Sequence, residues 1–552
     1  MARNAGLAAL LAAGVLLATG GWLALRRAGE SVPASAPAAK ETPTQGDLLV
    51  VGIATKPATL LAPFAVTEDE SEIASLLTPT LCNTDLRGET VHVPGLADRW
   101  EWSPDGKTIT FHLKEAKWDD GEPVTATDVA ATYALVRDER YASPRREYFE
   151  RVESVRAIDP RTVTISFGAA YYRQNQLSDV ATIGILPARV CAALAPDEAR
   201  GTPSALRPVG HGKFRIVDVD PEHGWTLERN PAVVSDAVPW LHRVRLRPIE
   251  DRGARLNALR SEQIDVMDGV PAEEVDRVRA EGFQVFERTD RSVDYVVWNR
   301  RRPLFDDRDV RRALTLAIDR AGMNQAIFRS PVATIREPIG ATSPLLADAY
   351  ARDVVPLPHD PAEAERILEA KGWRRGAGGT REKERVPFRF RLVVNRETAH
   401  RTQTATMIQQ DLRKVGIDVE IDAVGFSELG DRARRGDFDA AIYGVQAPLQ
   451  LKQGDLWKSG APYNFADYRN PEVDHLVDGM REQADRARIC EDLKQIQRIV
   501  YADQPVTFLR WFGRFVAVGP RFRDFHADAL SSLGYLERCW VPLGLQRFDR
   551  GE

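Results

Sequence analysis

The stretch Pro94–Arg137 constrains the fold of this 552-residue chain more than any other part of its sequence. Tryptophans alternate with polar residues before the turn Ser103–Gly106, and Thr108–Leu113 alternates threonine or histidine with large apolar residues. Such alternation predicts two half-buried strands, and the Pro-Asp-Gly turn predicts that they pair as a hairpin. Thr125 stands three residues before Asp128, directly ahead of an apolar run, which is typical of a capped helix start. The sequence therefore predicts a hairpin, a second turn and a helix in immediate succession.

This succession, with these residues, resembles the signature of the family 5 extracellular solute-binding proteins, the binding proteins of peptide- and nickel-type ABC importers. Other segments resemble landmarks of the family in the family's order: Pro208–Phe214, Leu227–Pro231, Leu256–Val266, Phe305–Arg320 and Tyr463–Asp474. The resemblance extends from residue 48 to about residue 545. The segment Pro208–Phe214 is rich in glycine, but it lacks the Lys-Ser/Thr pair of a phosphate-binding loop. It therefore predicts a turn that leads into a strand.

The resemblance implies an α/β fold with two lobes around a hinge, the class II periplasmic-binding-protein fold, with an accessory domain on one lobe. Lobe I would comprise residues 47–75, 205–300 and 515–552, the accessory domain residues 76–204, and lobe II residues 301–514. The chain would then cross the hinge near Asn299–Arg302 and again near Trp511–Phe515. A chain of this length is too long for a single core, which agrees with several lobes.

The N-terminal segment predicts export from the cytoplasm. Gly6–Leu25 carries no charge, and Arg26-Arg27 follow it. An apolar run of about 20 residues fits a membrane-spanning helix, whereas a cleaved signal has an apolar region of about 7–15 residues. We therefore expect residues 1–27 to form a hydrophobic helix that is a signal anchor or a signal peptide, with the length favouring the anchor, and residues 28–46 to be a flexible linker. The rest of the chain would be periplasmic or extracytoplasmic, tied to the cytoplasmic membrane by residues 6–25.

Charge and motifs argue against several classes of protein. Lys and Arg number 75 against 80 Asp and Glu, giving a net charge of −5, whereas nucleic-acid-binding proteins need a basic surface. The sequence contains neither a G-x-S-x-G nor an H-E-x-x-H motif, so we expect no enzyme. The four cysteines have no metal-ligand spacing, and we expect no metal and no cofactor. Outside the cytoplasm they are permitted to form a disulfide, whose pairing the sequence leaves open: Cys82, Cys191, Cys490 and Cys539.

The resemblance also indicates where a ligand would bind. Peptide-binding relatives pair the ligand's ammonium with an aspartate that follows the strand equivalent to Asp439–Tyr443. Here Gly444–Pro448 contains no acid, and the nearest downstream acid is Asp455. A neutral, blocked or sugar-like ligand is therefore an alternative to a peptide or a nickel chelate. The candidate ligand-binding residues are Thr59, Phe64, Trp298, Asn299, Tyr443, Gln446, Trp457, Tyr463 and Asn464.

The function that the resemblance implies is capture of a small solute rather than catalysis. The protein would close its two lobes around a peptide or another small molecule and deliver it to the permease subunits of an ABC importer. It would act as a monomer without nucleic acid, and its N-terminal helix would bind the membrane. The alternative is a membrane-anchored ectodomain that binds a ligand in a sensory or assembly role and serves no importer.

Overall fold

The computed structural model describes residues 41–84, 92–220, 223–231, 238–288, 291–328, 338–447, 450–452, 454–511, 513–528 and 531–547. The predicted signal anchor or signal peptide and most of the predicted linker lie outside the described residues. Within the described ranges, no helix has the length and apolar character needed to cross a membrane. Thr44–Glu552 forms one compact unit.

The strands and helices alternate along most of the chain. In chain order the strands are β1 (Leu48–Ile53), β2 (Cys82–Thr84), β3 (His92–Pro94), β4 (Ala97–Trp102), β5 (Thr108–Leu113), β6 (Val152–Asp159), β7 (Thr162–Phe167), β8 (Phe214–Asp220), β9 (Gly224–Arg229), β10 (Arg243–Pro248), β11 (Val266–Asp268), β12 (Gln284–Arg288), β13 (Ser292–Trp298), β14 (Arg374–Arg375), β15 (Arg381–Lys383), β16 (Val386–Pro387), β17 (Arg389–Asn395), β18 (Asp418–Val424), β19 (Ala440–Gln446), β20 (Val506–Trp511) and β21 (Arg514–Val518). The α-helices are α1 (Glu68–Leu77), α2 (Ala126–Arg137), α3 (Arg173–Val180), α4 (Ala188–Ala193), α5 (Arg252–Arg260), α6 (Val275–Ala280), α7 (Arg308–Ala317), α8 (Arg320–Phe328), α9 (Pro361–Ala370), α10 (Ala399–Lys414), α11 (Phe426–Arg435), α12 (Gly454–Trp457), α13 (Pro471–Glu482) and α14 (Arg486–Asp503).

Two large sheets organise the molecule. The first has seven strands in the order β12-β21-β11-β1-β10-β9-β8, and the second has five in the order β18-β17-β19-β13-β20. Both are mixed: β1 pairs in parallel with β10 and β11, and β17 in parallel with β18 and β19, whereas β13 is antiparallel to β19 and β20. Central strands are apolar on both faces because each sheet is covered by core on both sides, as the burial of Val297 and Trp298 on opposite faces of β13 illustrates.

The predicted hairpin and helix form part of a third, four-stranded sheet in the order β4-β5-β7-β6. Strands β4 and β5 are antiparallel on either side of the Ser103–Gly106 turn, and Ile109 and Phe111 are fully buried. Asp128 accepts a hydrogen bond from the backbone N–H of Thr125 at 2.7 Å, which closes the predicted cap of α2. The sequence pattern was sufficient to predict this hairpin and helix, because the hydrogen bonds of each turn and cap are made by residues a few positions away.

The glycine-rich loop before β8 has a packing role. A Cβ at Gly210 or Gly212 would collide with the backbone carbonyl groups of Leu77 and Leu76 at the end of α1. The N–H of Gly212 donates a hydrogen bond to the carbonyl oxygen of Leu77 at 2.8 Å. These two glycines therefore allow the chain to approach α1 closely, in keeping with the predicted turn.

The chain passes between the two large sheets at two places that differ in part from the predicted hinge. One connection joins β12 to β13 and the other joins β20 to β21. The predicted boundary at residue 300 left β13 in lobe I, but β13 pairs with β19 and β20 of the five-stranded sheet, so the first crossing precedes Ser292. The predicted second crossing, Trp511–Phe515, coincides with the observed connection. The misplaced boundary arose because β12 and β13 are both apolar strands, and the sequence does not say to which sheet a strand pairs.

All four cysteines lie within the described part of the chain, and there they are buried and free. Burial raises the pKa of the thiols of Cys82 to about 12 and of Cys191 to about 11. No disulfide of the kind that the sequence permits is therefore formed among them.

Candidate functional site

The strand ends that flank the two connections between the large sheets are paired with each other and are held together by charged residues. Arg288 ends β12 and pairs across the sheet with Arg514, which begins β21. Both guanidinium groups bind Glu68 at the start of α1, Arg288 at 3.1 Å between Nη2 and Oε1. Both also lie beside Asp268 at the end of β11. Because β13 begins and β20 ends just beyond these arginines, the cluster marks the hinge between the two sheets.

Glu72 is the most deeply buried carboxylate of this hinge cluster. It accepts hydrogen bonds from the N–H and hydroxyl of Ser532 at 2.8 and 2.5 Å and lies 3.5 Å from Arg288. Burial raises the pKa of Glu72 to about 7, and Arg288 opposes that shift. Oxygen atoms of Glu68, Glu72 and Asp268 lie within 4.8 Å of one another, but the two arginines supply the countercharge that a metal ion would otherwise provide.

A cavity of about 170 Å³ lies between α1 and the loops beside the four-stranded sheet. Hydroxyl groups line much of it, and three of them donate their hydrogen to a nearby backbone carbonyl: Ser75 to that of Glu72, Thr78 to that of Ala74 and Thr182 to that of Ser178, at 2.6 to 3.0 Å. A hydroxyl that has donated its hydrogen retains lone pairs. The cavity wall therefore offers hydrogen-bond acceptors to a guest.

Arg145 and Tyr148 complete the wall of the cavity on the side of the four-stranded sheet. Nη2 of Arg145 donates a long hydrogen bond of 3.4 Å to the hydroxyl oxygen of Ser71. Among the described residues, no carboxylate lies within ion-pair distance of Arg145, and none lines the cavity. The ring centroid of Tyr148 is 5.0 Å from Nζ of Lys452, which follows β19 of the other large sheet. All the lining residues lie between Ala62 and Gly184, and the five-stranded sheet's side reaches this wall only through the contact of Lys452 with Tyr148. Arg145 is the cation that the wall offers to a guest.

A second polar cluster lies at the hinge end of the five-stranded sheet. Asp294 is 1% exposed, and its carboxylate accepts hydrogen bonds from Arg401 at 2.8 and 3.0 Å and from His400 at 3.1 Å. Although burial opposes it, the ion pair with Arg401 holds the pKa of Asp294 well below its usual range. Gly444 lies opposite Asp294 on β19, and a Cβ there would strike both partners of the ion pair.

Arg510 belongs to the same cluster because of a β-bulge. The pairing of β13 with β20 shifts register between Asp294 and Tyr295, which brings Arg510 opposite Asp294. Arg510 is fully buried, donates to the hydroxyl of Thr404 at 2.6 Å and lies over the ring of Phe328. In the described part of the chain, its Nε and Nη1 have no hydrogen-bond partner. Burial lowers the pKa of Arg510 to about 10.

Six of the nine candidate residues are buried, each of them at most 9% exposed. Trp298 is 0% exposed, and its Nε1 donates to Thr507 at 2.9 Å. Asn299 is a turn residue whose amide donates to the carbonyl oxygens of Gly436 and Phe438. Both residues are buried in this structure, Trp298 in the core beside β13 and Asn299 in the turn that follows it, so their role as contact residues stays a prediction.

The other enclosed candidates are likewise engaged in packing or turns. Thr59 accepts a hydrogen bond from the N–H of Leu61, and Phe64 stacks on Tyr141 with ring centroids 6.0 Å apart. Trp457 packs edge-on against a phenylalanine of β20, and Asn464 closes a turn through two hydrogen bonds with the backbone of Tyr468. Their surroundings are therefore those of core and turn residues.

Three candidates remain accessible: Tyr443, Gln446 and Tyr463. Tyr443 is half-buried against Phe465, Gln446 is exposed at the end of β19, and Tyr463 is 49% exposed. The sequence did not single out Arg145, Tyr148, Asp294 or Arg401. Only Asp294 gave a signal, as a lone acid inside the apolar strand β13, which follows the first connection between the large sheets.

Comparisons with known proteins agree with this arrangement. A model of the family described as bacterial extracellular solute-binding proteins, family 5 (middle), matches residues 92–466. The oligopeptide-binding protein AppA of Bacillus subtilis (strain 168) is 27% identical over 551 residues, covering 97% of this chain and 98% of that protein. The probable D,D-dipeptide-binding periplasmic protein DdpA of Escherichia coli (strain K12) is 27% identical over 476 residues, covering 84% of this chain and 88% of that protein.

Solved structures show the same fold. The structure of Bacillus subtilis AppA in complex with a nonapeptide has a TM-score of 0.76 at 24% identity, covering 91% of this chain and 100% of that chain. NikZ from Campylobacter jejuni in complex with Ni(L-His) has a TM-score of 0.74 at 19% identity, covering 90% and 100%. The expected α/β fold of the two-lobed binding proteins is thereby confirmed. Since the family model spans more than half of the sequence, the chain belongs to the bacterial extracellular solute-binding proteins of family 5, which bind solutes for transport.

Proposed function

We propose that this protein is the extracytoplasmic solute-binding component of an ABC importer, which captures a peptide or another small polar solute and delivers it to a membrane permease. The observation that supports this best is the family match over residues 92–466, combined with two sheets joined by adjacent hinge connections. Relatives that match most of the chain carry names of oligopeptide- and dipeptide-binding proteins. The folded part would lie outside the cytoplasm, with residues 6–25 as its membrane anchor and permease subunits as its partners.

The observed pairing suggests revised lobes for this function. Lobe I would comprise residues 47–75, 205–288 and 514–552, the accessory domain residues 76–204, and lobe II residues 292–511. A ligand that touches both lobes favours the closed form, because only that form offers both sets of contacts. Capture and release would then proceed by lobe closure and opening, without covalent chemistry.

The cavity beside α1 supports a ligand that carries an anionic group. Arg145 offers an unpaired guanidinium in the wall, and the hydroxyls of Ser75 and Thr78 offer acceptors to donor groups of the same ligand. Gly444–Pro448 supplies no acid for a ligand ammonium, and Asp294 is already bound by Arg401. A free carboxylate, as at the C-terminus of a short peptide, fits this distribution of charge.

The test compares a peptide with its uncharged analogue. Native mass spectrometry of the purified ectodomain should first reveal any co-purified solute. Titration calorimetry with Ala-Ala-Ala and with its C-terminal amide should then show tighter binding of the free acid by about tenfold or more, because a charge-assisted hydrogen bond contributes about 1.5–3 kcal/mol. Arg145→Met should abolish this preference, whereas Arg146→Met, which removes a neighbouring exposed arginine paired with Glu139, should retain it.

Two results would count against the proposal. Equal affinities of the acid and the amide, or an Arg145→Met variant that binds like wild type, would reject the anionic ligand class. Failure to bind any member of a panel of peptides, amidated peptides, nickel chelates and sugars, with no solute seen in mass spectrometry, would reject the binding function itself.

A further inference from the structure

A direct contact joins the accessory domain to lobe II through residues outside the hinge connections. Helix α3 presents one face to lobe II, since Tyr172, Asn175 and Asp179 are spaced at three and four residues. Tyr172 packs against the hydrophobic core of lobe II. The side chain of Asn175 makes two hydrogen bonds with the backbone of Leu451, donating to its oxygen at 3.3 Å and accepting from its N–H at 3.2 Å.

Lys452 lies at the centre of this contact. Its ammonium is 3.3 Å from Oδ1 of Asp179 and 5.0 Å from the ring centroid of Tyr148. Asp179 is 8% exposed and accepts a second hydrogen bond, at 3.0 Å, from the hydroxyl of Tyr171. A carboxylate this deeply buried needs its countercharge, because an unpaired buried charge is strongly unfavourable. Within the described contact, the accessory domain therefore binds Lys452 of lobe II in two ways, through the charge of Asp179 and through the aromatic ring of Tyr148.

Arg151 extends the contact at its outer edge. Its guanidinium lies 4.7 Å from the ring centroid of Tyr171 and donates a hydrogen bond of 2.6 Å to the carbonyl oxygen of Arg481 in lobe II. Arg151 thus contacts the ring of Tyr171, and Lys452 contacts the carboxylate of Asp179, the hydrogen-bond partner of Tyr171. The contacts form a continuous network rather than isolated surface pairs.

We infer that Lys452, Asp179, Tyr148 and Asn175 form a clasp that holds lobe II against the accessory domain and that ligand in the cavity strengthens through Tyr148. Only the strengthening of the clasp by ligand rests on the proposed function. Tyr148 has two roles in this arrangement, since one side of it lines the cavity beside Arg145 and its ring faces the Lys452 ammonium. A ligand in the cavity would hold the ring of Tyr148 in place. The fixed ring would then favour the position of Lys452 in which the ammonium also contacts Asp179. Closure would therefore be biased at two separate places, the hinge and the clasp.

The clasp can be tested without any ligand. Nitroxide labels on Glu115→Cys in the accessory domain and Glu482→Cys in lobe II report the separation of the two parts by pulsed electron resonance, because both positions are exposed and the native cysteines are buried. Lys452→Met and Asp179→Asn should each raise the ratio of open to closed molecules at least about fivefold. The effect of the double variant should fall short of the sum of the two single effects, because both single variants remove the ion pair between Lys452 and Asp179. Lys452→Arg should restore the wild-type distribution.

The control is Lys458→Met, which removes an ion pair with Asp478 that lies wholly within lobe II. This variant should leave the distance distribution unchanged. Unchanged distributions in both Lys452→Met and Asp179→Asn, or additive effects in the double variant, would overturn the clasp. Circular dichroism of each variant identifies any that fails to fold, and the Lys452 variants change only a partly exposed side chain.

The ligand-dependent part uses the tripeptide Ala-Ala-Ala as its probe. If the tripeptide binds wild type, its affinity for Lys452→Met should fall by at least about fivefold, and unchanged affinity would overturn the coupling through Tyr148. If the tripeptide does not bind wild type, the proposed ligand class fails, while the distance measurement on the ligand-free protein still decides whether the clasp exists.

Discussion

Replacing Asp294 by asparagine should destabilise the protein far more than the same replacement at a surface ion pair. Asp294 is the carboxylate of a buried cluster that contains Arg401 and the fully buried Arg510. The variant keeps the shape of the side chain but removes its charge, which leaves Arg401 without its counterion and removes the nearby negative charge that favours the buried Arg510. Breaking a buried pair from one side typically costs about 3–5 kcal/mol, whereas an exposed pair contributes about 0–1 kcal/mol.

Asp418→Asn provides the matched control, because Asp418 pairs with the exposed Arg389 at 2.7 Å. Urea unfolding followed by circular dichroism at pH 7 should give a loss of about 3–5 kcal/mol in the free energy of unfolding for Asp294→Asn and about 1 kcal/mol or less for Asp418→Asn. The pKa of Asp294 is held below its usual range by Arg401 in the folded protein. Its contribution is therefore fully present above the unfolded pKa of about 3.9 and is lost as the pH falls through the lower folded value, so the difference between wild type and Asp294→Asn should narrow in acid.

The reasoning would be refuted by a loss of less than about 1 kcal/mol for Asp294→Asn at pH 7. Such a result would mean that water or rearrangement compensates the two arginines, and that the cluster is not the closed ion-pair network that the distances indicate. A difference that grows as the pH falls would refute the sign of the argument, even if the loss at pH 7 were as large as expected.

Three further substitutions test other parts of the structure. Glu72→Gln tests the raised pKa of Glu72, because a buried carboxyl of this kind favours the protonated folded state. As the pH rises from the ordinary carboxyl pKa of 4.5 through about 7, the free energy of unfolding of wild type should fall by up to about 3 kcal/mol relative to Glu72→Gln. Urea unfolding at pH 5 and pH 8 measures this difference, and parallel pH profiles would contradict it. Gly444→Ala should cost about 1–3 kcal/mol because its Cβ would strike Arg401, whereas Gly479→Ala, with nothing within 4 Å of its Cβ, should gain about 0.5–1 kcal/mol within its helix; equal effects in the same assay would be inconsistent with the geometry. Trp298→Phe should lower the melting temperature yet leave the affinity for any identified solute unchanged, and a loss of affinity in calorimetry would return Trp298 to the binding site.

The fold was predictable wherever neighbouring residues determine the structure. The hairpin around Ser103–Gly106 and the Thr125–Asp128 cap depend on contacts within a few residues, and both were confirmed. The boundary between the lobes was predicted less well, because the sheet that β13 joins is decided by pairing with β19 and β20, more than 140 residues further along the chain. Alternation in a sequence tells which residues are buried but not which strand lies next to them.

The binding residues were harder to predict because the sequence does not show which aromatic or polar side chains are covered. Trp298 and Trp457 stand at element ends, as ligand-contacting aromatics often do, yet packing covers both. Arg145 and Arg146 are adjacent and look alike in the sequence, but one lines the cavity and the other pairs with Glu139 in solvent. Adjacent residues point in different directions, and only the surrounding three-dimensional structure decides which of them meets a ligand.

The absence of an acid after β19, where peptide-binding relatives carry an aspartate, bears on which ligands the charges of this chain can bind. Without an acid in Gly444–Pro448, a ligand ammonium would have to find another carboxylate, and Asp294 is enclosed and already bound by Arg401 and His400. An ammonium placed in the cavity beside α1 would approach Arg145, whose charge has no acidic partner among the described residues. Bringing like charges together in a closing cleft is unfavourable, whereas a carboxylate would supply the missing partner of Arg145. On the proposed function we therefore expect a ligand held by an acidic group rather than by its amino group, which is the difference that the comparison of Ala-Ala-Ala with its amide measures.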